Sequence, residues 1–182
     1  MSILKVSRMG HPVLRQPAQE IPPEQIKHPA LQKLIDDMIE TMIDEEGIGL
    51  AAPQVFQPLR LVVLGDPEAD PQDEEEIPLT VLINPRWLEQ SEEKAEAWEG
   101  CLSVPGMRGV VSRSTSVALE GLDREGERVE LRAEEMFARV LQHEIDHLDG
   151  VLYLDRMTDM RRLAFMEEFQ RYWQQPEESE EE

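Results

Sequence analysis

Two histidines and a glutamate in one short stretch of the sequence have the types and spacing of a catalytic metal site. His143, Glu144 and His147 lie in the run QHEIDHLDG at 142–150. On a helix, side chains four residues apart project from the same face, so both imidazoles can hold a single metal ion. The glutamate beside the first histidine is then placed to act as a base toward a water molecule instead of binding the ion. The pattern predicts a metal site with its own general base.

The flanking residues predict that these histidines lie at a buried face. Met136 and Val140 share a stripe of the helix with the two histidines, and a second, apolar stripe runs beside it (Phe137, Leu141, Ile145 and Leu148). Burying an imidazole without a partner costs free energy, so a metal ion is the expected partner. The alternative is a solvent-facing histidine pair on an ordinary helix, and the apolar neighbours argue against it.

A catalytic metal ion also needs a third protein ligand and an open position. The extended motif His-Glu-x-x-His-x-x-Gly-x-x-His would take that ligand from position 153, where this sequence has Tyr153. Two sources remain: Glu167 or Glu168 about one helix downstream, as in a zinc peptidase, or Cys101, since a thiolate binds first-row divalent metals well. An inert buried thiol is the alternative for this cysteine. For the pattern as a whole, the alternative is a module that binds a metal ion but catalyses no reaction.

The elements that must position these residues include three predicted helices. Apolar side chains recur over 31–43 with the spacing of one helix face, which predicts an N-terminal helix. The metal motif lies on a second helix, predicted over 133–148. A third helix is predicted over 158–175, with Thr158 as its N-cap.

Strand-like segments fill the interval between the first two helices. They are 59–64, 79–83, 110–114, 116–122 and 128–132. The turn between the last two segments, Asp-Arg-Glu-Gly, predicts that they form a hairpin. A run of strands between helices predicts an α+β fold rather than a regular alternation. We expect mixed or antiparallel strands packed around a central metal-binding helix, with an N-terminal helix and a C-terminal helix.

Composition restricts the class of protein. The 182 residues include 18 Lys and Arg against 39 Asp and Glu, a formal net charge of −21. Such a negative field argues against a general polyanion binder, and we expect no direct nucleic-acid site. The single cysteine excludes an intramolecular disulfide and indicates a reducing compartment.

The distribution of apolar and acidic residues predicts location and domain organisation. No apolar run approaches the roughly 20 residues of a membrane span, and the N-terminus lacks a signal-peptide pattern, so we expect a cytoplasmic protein with no membrane contact. Twelve acids fall in two segments, 66–77 and 176–182, that are too poor in apolar residues to fold by themselves. We expect one catalytic domain over 1–175 with an acidic loop insertion at 66–77, followed by an acidic, disordered tail.

Three segments taken together resemble the signature motifs of the peptide deformylase family. They are GIGLAAPQ at 47–54, EGCLSVP at 99–105 and QHEIDHLDG at 142–150, in the family's order and at its spacing. The resemblance extends from about residue 3 to residue 173. It implies an enzyme that removes the formyl group from the N-terminal formylmethionine of newly synthesised polypeptides and releases formate.

The resemblance implies a metal centre made of Cys101, His143 and His147. These residues would hold one divalent metal ion per chain, which is Fe(II) in the cell, with Zn, Ni or Co able to occupy the site in a purified sample. Glu144 would serve as the general base and then as the general acid.

The other matched residues would act on the substrate. The resemblance implies that Gln54 and the backbone N–H of Leu102 donate to the oxyanion, and that the backbone of Gly49 contacts the bound peptide. We expect Glu99 and Arg113 to pair and brace the cysteine loop. Three side chains are expected to line a pocket for the substrate's methionine: Ile48, Met136 and Val140. For Met136 and Val140 the alternative role is to pack in the helix core.

The implied substrate sets the expected partners. These are N-formylmethionyl nascent peptides, which would bring the enzyme transiently near the ribosome. Members of the family can carry a basic C-terminal helix that docks near the exit tunnel, whereas RNA would repel the acidic tail at 176–182. We expect a monomer that makes no tail-mediated contact with RNA.

Overall fold

The strands of this protein form two antiparallel sheets, and one long helix contacts both of them. The computed structural model describes residues 2–70, 73 and 76–174. The predicted tail at 176–182 and four residues of the acidic segment at 66–77 lie outside the described residues. The α+β fold predicted from the sequence, with a helix near each end of the described chain, is confirmed.

The first sheet has the strand order β1-β2-β3-β6-β7 and the second has the order β4-β5-β8. No helix in the described part of the chain is both long and apolar enough to cross a membrane. The helices are α1 (Pro23–Ile26), α2 (Pro29–Asp44), α3 (Glu135–Leu148), α4 (Tyr153–Arg156) and α5 (Met166–Tyr172). The strands are β1 (Gly49–Ala51), β2 (Leu61–Leu64), β3 (Thr80–Gln90), β4 (Lys94–Cys101), β5 (Val104–Ser114), β6 (Ser116–Leu122), β7 (Arg128–Glu134) and β8 (Leu163–Phe165).

Helix α3 carries the predicted metal motif and is held on two sides. Its apolar residues Leu141 and Ile145 are buried and join Leu119 of the first sheet in one core cluster. Burial of each such side chain stabilises the fold by about 1.5–3 kcal/mol. On the side of the second sheet, Gln142 exchanges two hydrogen bonds with the backbone of Ser114, at 3.1 and 2.9 Å. The helix is therefore fixed against both sheets.

Helix α2 positions the glycine-rich segment that follows it. Its N-cap is His28, whose Nδ1 accepts a hydrogen bond from the backbone N–H of Ala30 at 3.2 Å. Its buried residue Ile35 belongs to the core cluster that also contains Leu50 of β1 and Leu61 of β2. This packing holds β1 beside α3, which it also contacts.

Strands β4 and β5 form an irregular hairpin that carries the cysteine. The pairing passes from Glu99 with Gly109 directly to Cys101 with Val104. Gly100 alone therefore lies opposite four residues of β5, which form a bulge. On its other edge this part of β5 pairs with β8, which keeps the bulged segment in the sheet.

The predicted bounds of the third helix are wrong. In place of one helix from Thr158, the chain forms a 3-10 helix at Met160–Arg162, then β8, and the C-terminal helix starts only at Met166. Asp159 caps the 3-10 helix, because its side chain accepts from the backbone N–H of Arg161. The physical reason is that β8 pairs with β5, and this tertiary pairing outweighs a weak local preference for helix.

Other boundaries differ less from prediction. Strand β6 has the predicted bounds, and its hairpin with β7 turns at Gly126 with a φ of 81°, as the turn sequence predicts. Strand β7 extends to Glu134, so α3 begins two residues later than predicted.

Strand β4 was not predicted at all. It is rich in Lys, Glu and Ala, residues that are depleted from strands, and forms by pairing with β5.

Candidate metal centre and active-site cleft

Three side chains meet where the end of β4 approaches α3. Cys101, His143 and His147 each offer a ligand atom, and these atoms lie within 4.8 Å of one another. The Sγ atom of Cys101 is 3.3 Å from Nε2 of His147. Glu167 and Glu168, the carboxylates considered for a zinc peptidase, are exposed on α5 and do not belong to this cluster. The irregular β4–β5 hairpin therefore supplies the third donor.

This donor set fits a divalent metal ion. One thiolate with two imidazoles is a combination that first-row metals accept. Nδ1 of His143 lies 3.0 Å from Oε2 of Glu99, which leaves Nε2 for the cluster, as carboxylate partners of metal-binding histidines do. Burial and the neighbouring His143 hold the pKa of His147 well below its usual value. Its imidazole is therefore neutral, which is the form that binds a metal.

A buried ion-pair network lies directly behind the cluster. Arg113 donates to both carboxylate oxygens of Glu99, at 2.9 and 3.0 Å, which confirms the pairing expected from the sequence. Arg139 donates to the same carboxylate at 2.7 Å. Asp146 accepts from Arg113 at 2.5 Å and from Arg156 at 2.6 Å. The sequence did not identify Arg139, Asp146 or Arg156 as part of the site. Arg139 and Asp146 are nevertheless seven residues apart and so share one face of the predicted helix.

The network keeps the carboxylate of Glu99 ionised. Burial alone would raise its pKa, but hydrogen bonds from His143 and Arg113 hold that pKa well below its usual value. Removing one partner of such a buried pair costs about 3–5 kcal/mol, because the other charge is left uncompensated. The network thus ties β4 and β5 to α3 and fixes Cys101 relative to the histidines.

Glu144 has the environment of a proton acceptor. Its side chain is buried, and among the described residues its Oε2 has no hydrogen-bond partner. Burial raises its pKa to about 7. A Cβ atom at Gly49 would lie 2.5 Å from Oε1, so only glycine leaves room for the carboxylate there.

The side chain of Gln54 is oriented by the backbone of Ala51. Its Oε1 accepts from the N–H of Ala51 at 2.8 Å, which directs the amide NH2 group to Oγ of Ser103 at 3.2 Å and toward Sγ of Cys101 at 3.7 Å. Leu102 follows the cysteine in the turn between β4 and β5 and lines the same cleft. Ser103 is fully buried and was not singled out from the sequence. These residues bring polar donors to one end of the cluster.

The cluster opens into a cleft of about 570 Å³. All the predicted site residues line this cleft except His147, which is fully buried. Among the three expected pocket side chains, Ile48 and Met136 are about half exposed, whereas Val140 is only 6% exposed and also belongs to the core. Further apolar lining comes from residues that sequence reasoning did not find. These are Trp98, Met107 and Met166.

Comparison with known proteins gives a consistent result. The family model described as polypeptide deformylase matches residues 3–163. The chain is 44% identical over 165 residues to peptide deformylase 1 of Nitrosomonas europaea, covering 90% of this chain and 92% of that protein. It is 46% identical over 159 residues to peptide deformylase 1A, chloroplastic/mitochondrial, of Arabidopsis thaliana, where the match covers 82% of this chain. The chain spans only 59% of the length of that longer plant relative.

Solved structures with the same fold include those of two bacterial enzymes. The peptide deformylase of Thermotoga maritima superposes with a TM-score of 0.78 at 37% identity, covering 87% of this chain and all of that one. A class I type b peptide deformylase from Acinetobacter baumannii, solved with Met-Ala-Ser bound, gives a TM-score of 0.80 at 36% identity. That match covers 86% of this chain and 100% of the solved chain.

Proposed function

Because this chain belongs to the polypeptide deformylase family, and so is a metal-dependent hydrolase that removes the N-formyl group from newly made polypeptides, we propose that Cys101, His143 and His147 hold its metal ion. The observation that carries this proposal is the meeting of one thiol and two imidazoles, with ligand atoms within 4.8 Å, at the cleft. When bound, the ion supplies Lewis-acid activation of water and of the formyl oxygen.

We propose Glu144 as the group that moves the proton. Its pKa is about 7, and one carboxylate oxygen has no hydrogen-bond partner among the described residues. The carboxylate can therefore take a proton from water as the water oxygen attacks the formyl carbon. It then returns that proton to the amine nitrogen as the carbon–nitrogen bond breaks. Formate and a free methionine amino terminus are the products.

Gln54 and the backbone N–H of Leu102 are proposed to stabilise the oxyanion that forms on attack. The Gln54 amide is fixed by its contact with Ala51, so it needs no reorganisation during the reaction. The apolar lining of the cleft is proposed to hold the substrate's methionine. The side chains involved are Ile48, Met136 and Val140.

Replacing Gln54 by leucine is expected to lower kcat by about 10²–10³-fold, because one oxyanion donor is lost. Steady-state formate release from formyl-Met-Ala-Ser, with the metal content measured in the same sample, tests this. Ser103→Ala is the matched control, since it removes the acceptor at 3.2 Å and leaves the Gln54 amide in place. An equal loss in both variants would assign Gln54 a structural role instead.

Replacing Gly49 by alanine is expected to lower kcat by at least about 100-fold, because the new Cβ would displace the carboxylate of Glu144. The three atoms nearest to that Cβ all belong to Glu144, which is outside the ligand cluster, so one metal ion per chain should stay bound. Formate release and metal analysis together check the prediction. Wild-type turnover in Gly49→Ala would mean that the carboxylate acts from another position.

We propose Fe(II) as the physiological metal, with Zn, Ni or Co able to load the purified protein. The thiolate and imidazole donors accept all four ions, and the lone cysteine is compatible with a reducing compartment. An anaerobic preparation loaded with Fe(II) should release formate from formyl-Met-Ala-Ser. No release with one ion demonstrably bound per chain would overturn the proposed site.

We further propose one catalytic domain over 1–175, acting as a cytoplasmic monomer near the ribosome without membrane contact or a direct nucleic-acid site. The net charge of −21 supports the absence of RNA binding, because like charges repel. Sedimentation at physiological salt tests the proposed monomer, the ribosome proximity and the absence of membrane contact. It is measured for the purified chain alone, with purified ribosomes and with vesicles. A stable complex with bare ribosomal RNA would contradict the proposed absence of nucleic-acid contact.

A further inference from the structure

Tyr153 is a fully buried tyrosine beside the metal cluster, and the proposed reaction makes no use of its hydroxyl. The side chain is 1% exposed, and its Oη atom has no hydrogen-bond partner among the described residues. Burying a hydroxyl without a partner costs about 1–3 kcal/mol, whereas a phenylalanine ring would fill nearly the same volume without that cost. The hydroxyl therefore needs an acceptor, and the surroundings of the ring indicate which one.

The ring of Tyr153 is held against two of the proposed metal ligands. It lies nearly parallel to the imidazole of His143, with an interplanar angle of 21° and ring centroids 6.2 Å apart. Cys101 packs against the apolar cluster that contains Tyr153 and Val104. A Cβ atom at Gly109 would lie 2.9 Å from Cε2 of the ring, so the backbone of β5 packs closely against it. The hydroxyl is thus carried by a side chain with a fixed position.

The phenol of Tyr153 is a hydrogen-bond donor toward the cysteine. Burial and the charge of the Cys101 thiolate raise the pKa of Tyr153 to about 12, so the O–H group stays intact at physiological pH. A thiolate is an ionised acceptor, and hydrogen bonds to ionised groups are stronger than those between neutral groups. Because Oη makes no direct hydrogen bond to Sγ, a single internal water molecule is the simplest link between them.

A second buried polar atom beside the cysteine also lacks a partner. Nε of Arg108 has none among the described residues, and a Cβ atom at Gly100, the residue before Cys101, would lie 2.9 Å from it. The charge of Arg108 also acts on the phenol of Tyr153, where it opposes the rise in pKa. Buried water molecules typically make about three hydrogen bonds to polar groups that are otherwise unsatisfied. Oη, Nε and Sγ supply two donors and one acceptor for such a molecule.

We propose that an internal water molecule links the hydroxyl of Tyr153 to the sulfur of Cys101, and that this link lowers the electron density on the thiolate. Tyr153 is then a positioning residue that acts on the metal through Cys101. The inference rests on the proposed metal ligands and adds a partner for one of them, as is common behind metal ligands. A sulfur that accepts a hydrogen bond should also react more slowly with electrophiles and oxidants.

The test uses Tyr153→Phe, which removes the hydroxyl and keeps the ring. Tyr172→Phe is the matched control, because Tyr172 is the only other tyrosine of the chain and is exposed on α5. Both variants and the wild type are loaded with one Co(II) ion per chain. We expect the sulfur-to-metal charge-transfer band to move to lower energy in Tyr153→Phe, because the sulfur becomes richer in electrons. The band should stay in place in Tyr172→Phe.

The reactivity of the thiolate provides a second readout. Cys101 is the only cysteine of the chain, so alkylation by iodoacetamide of the Zn(II)-loaded protein reports on this sulfur alone. We expect alkylation to be about 5-fold faster in Tyr153→Phe than in the wild type, because one hydrogen bond to the thiolate is lost. Tyr172→Phe should react at the wild-type rate.

A third measurement needs no substitution of Tyr153, and it decides the question if Tyr153→Phe does not fold. In Tyr172→Phe, Tyr153 is the only tyrosine left, so ultraviolet resonance Raman scattering reports the hydrogen bonding of its phenol alone. We expect the tyrosine doublet of the metal-loaded protein to have the intensities of a phenol that donates a hydrogen bond.

Two results would overturn the proposal. One is a Tyr153→Phe variant with the charge-transfer energy and the alkylation rate of Tyr172→Phe. The other is a Raman doublet typical of a phenol that donates no hydrogen bond. A wild-type protein that binds one Co(II) ion without any sulfur-to-metal band would instead contradict Cys101 as a ligand, and with it the proposed metal centre.

Discussion

Replacing Glu144 by glutamine is expected to lower turnover of formyl-Met-Ala-Ser by about 10²–10⁴-fold while one metal ion per chain stays bound. Glutamine has nearly the same shape as glutamate but cannot accept the proton. The carboxylate is not part of the ligand cluster, so its loss should leave the metal in place. Formate release measured on the same sample as the metal content separates the two effects.

Glu135→Gln provides the control for this variant. Glu135 lies on the same helix, is exposed and is absent from the cleft lining, so its replacement changes the charge equally without touching the site. We expect its turnover to be close to that of the wild type. If Glu144→Gln also kept wild-type turnover, Glu144 would not be the proton carrier, and the metal site would resemble a binding module more than a catalytic centre.

Replacing Cys101 by serine is expected to weaken metal binding by about 100-fold or more and to abolish turnover at ordinary metal concentrations. Losing an outer partner of a metal ligand typically costs 10–100-fold in affinity, and losing a ligand itself should cost at least the upper end of that range. A hydroxyl is a poor substitute because it does not ionise near neutral pH. Competition with a chromophoric chelator measures the affinity directly.

The zinc-peptidase alternative predicts the opposite metal content for this variant. It requires Glu167 or Glu168 as the third ligand, so Cys101→Ser would keep a full metal complement, and a Glu167→Gln, Glu168→Gln double variant would lose it. Both carboxylates are exposed on α5 and lie outside the ligand cluster. We therefore expect the double variant to bind metal and release formate like the wild type.

The metal-binding helix could be predicted from sequence because its information is local. The four-residue spacing of His143 and His147 places both side chains on one face, and the flanking apolar residues indicate which face is buried. By contrast, Cys101 belongs to a strand whose own residues do not favour a strand. Thiolate chemistry made it one of two candidate sources of the third ligand, and the resemblance to a known motif, not its spacing, favoured it over the carboxylates of α5.

The structure also contains contacts that no local pattern could reveal. Arg113 and Asp146 are 33 residues apart and meet because β5 packs against α3. A different non-local contact, the pairing of β8 with β5, replaced part of the third predicted helix with a strand.

The ion-pair network around Glu99 has a consequence for how the enzyme acquires its metal. Glu99, Arg113 and Arg139 hold one another through protein contacts alone, so we expect the chain without an ion to stay folded with the three ligand side chains close together. Small zinc domains differ, because they fold only when the ion binds. We expect that one ion can be exchanged for another in this protein without unfolding of the chain.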